Sequence, residues 1–357
     1  MADLEPFRAV RYSGAAGPLA DLVAPPYDAV TSEERAQLVR RSPYNVVRLT
    51  LPESAEAAGR SYREWVAQGI LEREDDPATW LLVDQYVGPD GVARERRGVV
   101  VSVAAQPYEA GRVLPHERTH LKIREERLRL LRELRAQPEP IFLLHDGELA
   151  LPTPDREPDL SANGSHVWRL EEDVLPQDGA LLIADGHHRY ESAISLGEEL
   201  GGGGARIMAL VVSTDDPGLH VFPTHRVFSA RPDLAHGDGE RFETVDDARR
   251  ALEDLPLGRS AALAYRSGAV ELLLGDEGQL DVELVDRYGL DGISYTPVES
   301  GAVDAVDRDE ADAAFLLRTP RVEDVFAAAR RGERMPPKST YFFPKPLSGL
   351  LFHPVRP

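Results

Sequence analysis

Leu181-Leu182-Ile183-Ala184-Asp185-Gly186-His187-His188-Arg189-Tyr190 is the stretch on which the reading of this chain turns. Its apolar run is that of a buried strand, Asp-Gly marks a sharp turn, and Tyr190 to Leu200 carries helical signals up to Gly201. A strand, a turn and a helix in that order set an acid, two imidazoles and a guanidinium at a helix N-terminus. Unpaired backbone N–H groups and the helix dipole favour an anion there. Gly186 lets backbone approach a ligand closely, and Asp185 could hold a hydrated cation beside it. Phosphate chemistry is therefore the first reading. The plainer one is an Asp N-cap followed by polar surface residues, which accounts for the aspartate but not for His-His-Arg.

The rest of the chain limits that chemistry. Its 357 residues are enough for two or three domains, and 42% of them are hydrophobic with no apolar run long enough to span a bilayer. The N-terminus lacks the basic segment and apolar run of a secretory signal, and cysteine is absent, so a cytoplasmic protein without disulfides, thiolate nucleophiles or cysteine-based zinc sites is expected. A formal charge of −20 opposes binding to nucleic acid or to an anionic membrane. A small anion is still allowed, because a cationic pocket outweighs acidic surface beyond a Debye length of about 8 Å. Of the 41 basic residues only Lys122, Lys338 and Lys345 are lysines. A lysine kept in so arginine-rich a chain can mark a place that needs a compact ammonium.

No internal repeat is visible. The segment from Pro6 to Pro52 reads as irregular, with Ala24-Pro25-Pro26-Tyr27-Asp28 a rigid extended loop and Ser32 to Arg41 a capped helix. Ser54 to Gly69 reads as a helix, Trp80 to Val87 and Ala93 to Ala104 as a β-hairpin, and His116 to Ala136 as a charged helix. Short strands are expected at Ile141 to Leu144, His166 to Leu170, Ala205 to Ser213 and Ala313 to Leu317. A further strand end falls near Pro223-Thr224-His225-Arg226, a flexible turn at Gly201 to Gly204, and a helix at Val322 to Arg331. Alternation without regular βαβ spacing argues for α+β rather than a doubly wound sheet. Three regions are expected: 1–105 with the hairpin, 106–230 as a catalytic core, and 231–357 carrying Pro336-Pro337-Lys338-Ser339-Thr340.

Two further motifs bear on function. His116-Glu117-Arg118-Thr119-His120 fits the H-E-x-x-H pattern of zinc peptidases, which on a helix would set His116 and His120 on one face with Glu117 as general base. Pro115 places the motif at the very start of its helix, Arg118 adds a cation beside the metal, and no third ligand stands out. A surface helix with Glu117 at its positive end is the plainer reading. Gly332 to Thr340 nearly matches a phosphate-binding P-loop, but Pro337 replaces the glycine before lysine and offers no N–H. The segment also follows a helix instead of opening one. Lysine with two hydroxyls can nonetheless grip a phosphate as a point charge plus donors.

Pro115-His116-Glu117, Asp185-Gly186-His187-His188-Arg189 and Pro337-Lys338-Ser339-Thr340, in this order, resemble the motifs of the ADP-dependent free serine kinases of archaea, which belong to the ParB/sulfiredoxin-like superfamily. Over its whole length the chain looks like a bacterial family catalogued as domain-of-unknown-function family 1015, with Ala24 to Asp28, Ser42 to Arg48 and Pro223 to Arg226 as further hallmarks. The resemblance implies a ParB/sulfiredoxin-like core with N- and C-terminal α/β additions. It implies that Glu117 takes the proton from a serine hydroxyl, that Asp185 binds Mg²⁺ or helps activate the nucleophile, and that Gly186, His187, His188 and Arg189 hold the transferring phosphate. Lys338, Ser339 and Thr340 would contact phosphate or the amino-acid carboxylate, and His116, Tyr27, Asp28, Thr224, His225 and Arg226 would line the substrate side. Where the archaeal motif continues Thr-Arg-His this chain has Thr340-Tyr341-Phe342, so one cationic contact is missing, and its N-terminal extension is longer. ADP, ATP or pyrophosphate could therefore donate, and a relative of serine could accept.

Other superfamily chemistries fail on composition: sulfiredoxin needs a cysteine, and partition proteins need a basic DNA-binding module. The expectation is a Mg²⁺-dependent phosphotransferase acting on small molecules. Its alternatives are a non-enzymatic nucleotide-binding regulator and, further off, a zinc hydrolase working through His116 to His120.

Overall fold

The computed structural model describes residues 2–176, 179–201, 205–229, 239–256, 258–266 and 268–355. Part of the Gly201 to Gly204 turn and the 230/231 boundary lie outside them. Among the described residues, Leu181–Asp185 lies inside a nine-stranded mixed sheet, between Val113–Leu114 and Ile141–His145. The order continues through Arg206–Ser213, the hairpin Ala93–Ala104/Trp80–Val87, Ser165–Arg169 and Leu160–Ala162, with Leu4–Glu5 also paired to Ala93–Ala104. Leu181–Asp185 runs parallel to Val113–Leu114 and antiparallel to Ile141–His145, and Arg206–Ser213 runs parallel to Ile141–His145.

Both faces of this sheet are covered, so its inner strands carry continuous apolar runs and each residue's parity decides its neighbours. Ile141, Leu143, Leu181, Ile183, Ile207, Ala209 and Val211 share one core with Tyr190 and Ala193 of the helix His187–Glu199. Phe142, Leu144, Leu182, Ala184, Met208, Leu210 and Val212 face the opposite core, which Val325, Phe326, Met335, Phe342 and Leu351 complete. The amphipathic helix Ala55–Ala67 packs on Leu121–Leu134, which packs on His187–Glu199. The Ser32–Arg41 helix starts as expected, with a capping box between Thr31 and Glu34.

A second, antiparallel sheet holds Glu240–Phe242, Ala269–Glu277, Arg259–Arg266, Ala313–Leu316, His225–Phe228 and Ile293–Thr296 in that order. After the helix Val322–Arg330 the chain returns to the large sheet's body. Tyr341–Phe343 pairs with His220–Phe222, Ser348 with Ala24, Phe352 with Val10, and His353–Pro354 with Ala136–Gln137. The fold is α+β. Among the described residues no helix is long and apolar enough to cross a membrane.

Two boundaries differ from the sequence reading. The helix expected from Tyr190 begins at His187, and the one expected from His116 begins at Leu121. In the second case His116 to His120 is held extended by distant partners: the Met335 N–H donates to the His116 carbonyl at 2.7 Å, and the His120 N–H donates to His188 Nε2 at 2.9 Å. Those bonds take the backbone groups a helical start would have used.

Candidate functional site

The site is organised by the turn after Leu181–Asp185. A register shift between Ile183 and Asp185 bulges the strand just before the aspartate, a device that re-aims a side chain. Gly186 follows at φ 102°, ψ 24° and caps the helix without a side chain. A Cβ there would stand 2.5 Å from Ile141 Cγ2, so both the backbone conformation and the space demand glycine. The helical ladder begins where the Tyr190 N–H meets the Gly186 carbonyl, which leaves the amides of His187, His188 and Arg189 in the unpaired first turn.

Asp185 is flanked by cations. Its Oδ1 receives Lys345 at 2.7 Å and its Oδ2 receives Arg189 at 2.6 Å. Burial opposes its charge, but these two neighbours outweigh it and hold the carboxyl at about 2. Lys345 also pairs with Asp28, so the N-terminal loop and the C-terminal tail meet across the turn. Burial works against the lysine's charge, and Asp185 and Asp28 more than reverse it. Arg189 is anchored a second time on the Pro140 carbonyl at 2.7 Å; burial works against its charge, and the carboxylates of Glu139 and Asp185 more than reverse that. Tyr27 lies alongside, its ring under Arg127 at 4.2 Å and its phenol pushed up to about 12 by burial. Both Asp185 oxygens are engaged, so the residues present do not fit Asp185 as an inner-sphere ligand for the Mg²⁺ that the resemblance implies.

Opposite the turn stands the His116-Glu117 segment. A carbonyl can only accept, so His116 Nδ1–H donates to the Ile183 oxygen at 2.7 Å, and its Nε2 accepts the Thr340 hydroxyl at 3.1 Å. Burial holds this imidazole neutral, with its pKa lowered to about 4. Both of its nitrogens are spent inside the protein, and it ties the turn to the Lys338 loop. His187 Nε2 accepts the His116 N–H at 3.3 Å, and His188 Nε2 accepts from His120, which leaves the proton of each neutral ring on Nδ1. Burial depresses both pKa values.

Glu117 is the one carboxylate here whose pKa rises. Burial lifts it first and the Asp185 charge adds to that, against Lys338, Lys345 and a hydrogen bond from the Lys338 main chain. Glu117 also bridges to Met335, which fixes it against the loop that carries Lys338. Lys338 itself is exposed and left-handed, with φ 59°. Ser339 is buried and donates to the Pro336 carbonyl at 2.6 Å.

The Thr224-His225-Arg226 group, expected on the substrate side, works from behind. Burial lowers His225 to about 3, and its Nδ1 accepts the Leu317 N–H at 3.1 Å. Arg226 is wholly buried; its Nη1 donates to the Thr224 carbonyl at 2.5 Å and to the Lys338 carbonyl at 2.9 Å. Thr224 is buried with its hydroxyl unpartnered. Arg96, also wholly buried, is opposite Asp84 in the hairpin register and pairs with it at 2.6 Å, while donating to the Pro344 carbonyl at 2.5 Å. Two buried arginines thus pin the segment that carries Lys338 and Lys345 without reaching the cleft.

The site therefore joins Tyr27, Asp28, Glu117, Asp185 to Arg189, Lys338, Thr340 and Lys345, drawn from four separate segments. Sequence reading missed Lys345 as a site residue, although its rarity as a lysine was the signal. The zinc arrangement loses its geometry, because His116 and His120 share no helix face, and among the described residues no three His, Cys, Asp or Glu side chains are grouped to hold a metal.

The chain belongs to the family described as "Protein of unknown function (DUF1015)", whose model matches residues 4–243. No curated protein matches it. Among solved structures it is similar to a free serine kinase in complex with AMP, at 18% identity and TM-score 0.43, covering 69% of this chain and 86% of that one. It is also similar to a conserved hypothetical protein from Pyrococcus furiosus, at 18% identity and TM-score 0.40 over 69% and 90% of the two chains. SbnI from Staphylococcus aureus, with a C-terminal truncation, matches at 13% identity and TM-score 0.41 over 68% and 82%.

Proposed function

We propose that this DUF1015 member is a phosphotransferase that phosphorylates free serine, or a similar small hydroxylated amino acid, with ADP, ATP or pyrophosphate as donor. The observation that carries the reading is Glu117: a half-buried carboxylate with a raised pKa, close enough to feel the Asp185, Lys338 and Lys345 charges at the rim of an anion-binding turn. A phosphate site alone needs no such base, whereas transfer to a hydroxyl does. The order and content of the three sequence motifs support the same chemistry.

In the reaction, the acceptor oxygen bonds to the terminal phosphorus of the donor and the bridging P–O bond breaks. The hydroxyl proton passes to Glu117, and the leaving phosphate, nucleotide or inorganic, keeps the electron pair. The first-turn amides of His187, His188 and Arg189, with Lys338 and Lys345, face the charge on the phosphoryl oxygens. Asp185 sets Lys345 and Arg189 in place and is assigned no metal. His116, Arg226 and Arg96 act as positioning residues.

A donor-by-acceptor screen read by mass spectrometry tests this. Wild-type protein should form phosphoserine, or the phosphate ester of a close relative, from at least one donor. Glu117→Gln should lower kcat by about 10²–10⁴-fold and leave donor binding nearly intact. Because a base works only when deprotonated, kcat/KM should fall toward acid with an inflection above the ordinary glutamate value. Nucleotide binding unchanged between wild type and Glu117→Gln, with no phosphorylated product from any acceptor, would make the chain a nucleotide-binding regulator instead.

A further inference from the structure

Asp185 has what a divalent cation asks of a protein, a carboxylate at the rim of an anion-binding turn, yet its oxygens are already answered. Oδ1 holds Lys345 at 2.7 Å and Oδ2 holds Arg189 at 2.6 Å, while the same lysine holds Asp28. Mg²⁺ takes its oxygens at about 2.0–2.1 Å in near-octahedral geometry, so it would have to evict the ammonium to bind here. Lys345 is poorly placed to leave. Its side chain is only 16% exposed. Its backbone is fixed on one side by Arg96 on the Pro344 carbonyl and on the other by the pairing of Ser348 with Ala24.

We infer that the Lys345 ammonium is the resident cation of this site, seated where Asp28 and Asp185 would otherwise share a divalent metal. Three distant segments converge to build that seat: the Ala24 to Asp28 loop, the bulged end of Leu181–Asp185, and the C-terminal tail. Two of the three ammonium donors go to carboxylates, and the third has no partner among the described residues. That third donor suits an oxygen of a phosphoryl or carboxylate group. An arginine would fill the gap poorly, because its planar fork favours one bidentate partner over two carboxylates approaching from different elements. The Ala24 to Asp28 loop thereby gains a role, as one wall of the cation seat. The inference shares its site with the proposed phosphoryl transfer, but it concerns which cation the carboxylates hold.

Mn²⁺ titrated into the full-length protein without nucleotide, with free Mn²⁺ counted by electron paramagnetic resonance, tests it. Wild type should leave Mn²⁺ free. Lys345→Met should gain one site at least about tenfold tighter, since removing a charge ~3 Å from both carboxylates changes cation affinity by more than that at an effective ε of ~20. Asp28→Asn in that background should abolish the new site. Lys345→Gln is measured alongside, and circular dichroism shows which variants are folded. One Mn²⁺ bound tightly per wild-type chain and lost in Asp185→Asn overturns the inference. So does a folded Lys345→Met or Lys345→Gln that gains no site. A protein with the expected Mn²⁺ pattern and no transfer activity would lose the proposed function and keep this inference, and the reverse result would do the opposite.

Discussion

Gly186→Ala tests the turn on which the site depends, and its cost can be worked from two terms. The first is conformational: at φ 102° an alanine sits in the left-handed region, which costs an L-residue about 1–2 kcal/mol. The second is steric. The new methyl would lie 2.5 Å from Ile141 Cγ2, 2.9 Å from Ile141 Cβ and 3.1 Å from Arg189 Nη2. Arg189 can shift its tip, but Ile141 is wholly buried in the neighbouring strand, so overpacking adds about 1–3 kcal/mol. The sum, about 2–5 kcal/mol, is a large share of a domain's typical stability. Gly201 supplies the control: its φ is 101°, and a methyl placed there would meet nothing within 4 Å, so Gly201→Ala should show the first term alone. Urea denaturation followed by circular dichroism and tryptophan fluorescence measures both. Ile141→Ala removes the nearer of the two Ile141 contacts, so the double variant should be less destabilised than the sum of the singles, with a coupling of about 0.5–3 kcal/mol. Equal losses for Gly186→Ala and Gly201→Ala, or strict additivity with Ile141→Ala, would refute the argument that Ile141 closes this space.

Other outcomes follow from the same contacts. Arg226→Lys keeps a charge near Asp286 but loses the rigid, planar Nη1 that donates to both the Thr224 and Lys338 carbonyls; trypsin should then cut after the exposed Lys338 faster than in wild type, and an unchanged cleavage map would remove Arg226 from its positioning role. The Asp185 carboxyl titrates at about 2 in the folded chain, below its ordinary value of 3.8, so its contribution is full above that value and disappears as pH falls through about 2. Urea midpoints of wild type should therefore fall more steeply than those of Asp185→Asn between about pH 4 and pH 2, and parallel curves would contradict the assigned ion pairs. Dialysis against EDTA should leave the urea midpoint where it was; a drop that zinc restores would bring back a metal site at His116 to His120.

What the sequence revealed about this fold was mostly local. The Asp185-Gly186 turn could be read because a glycine at a strand end reports backbone conformation directly, and the capped start of the Ser32–Arg41 helix because capping partners such as Thr31 and Glu34 are only three residues apart. The strands were found because both sheet faces are buried, which leaves continuous apolar runs such as Leu181 to Ile183. The start of the Leu121–Leu134 helix was misplaced for the opposite reason: the groups that hold His116 to His120 extended belong to Met335 and His188, and no local pattern carries that information. Lys345 escaped similarly, since its partners Asp28 and Asp185 are remote in sequence and its own neighbourhood reads as a proline-rich tail.

The distribution of cations shows how far the sequence could nonetheless be taken. In a chain that uses arginine almost everywhere, two of the three lysines lie at the site, and the two wholly buried arginines among the described residues stand behind it. Each type does what its shape allows. In the interior Arg96 satisfies a carbonyl and a carboxylate at once, and Arg226 satisfies two carbonyls, so they fix the backbone on either side of the 338–345 segment. The ammonium of Lys345, a point charge with donors in three directions, can bridge two carboxylates and still present an N–H to a ligand. Exchanging the roles would fail both ways: a lysine at 226 cannot span two carbonyls with the same rigidity, and an arginine at 345 would spend its fork on one aspartate. Lysine rarity was thus a structural signal of the same kind as Gly186, each marking a place where the geometry favours one residue type.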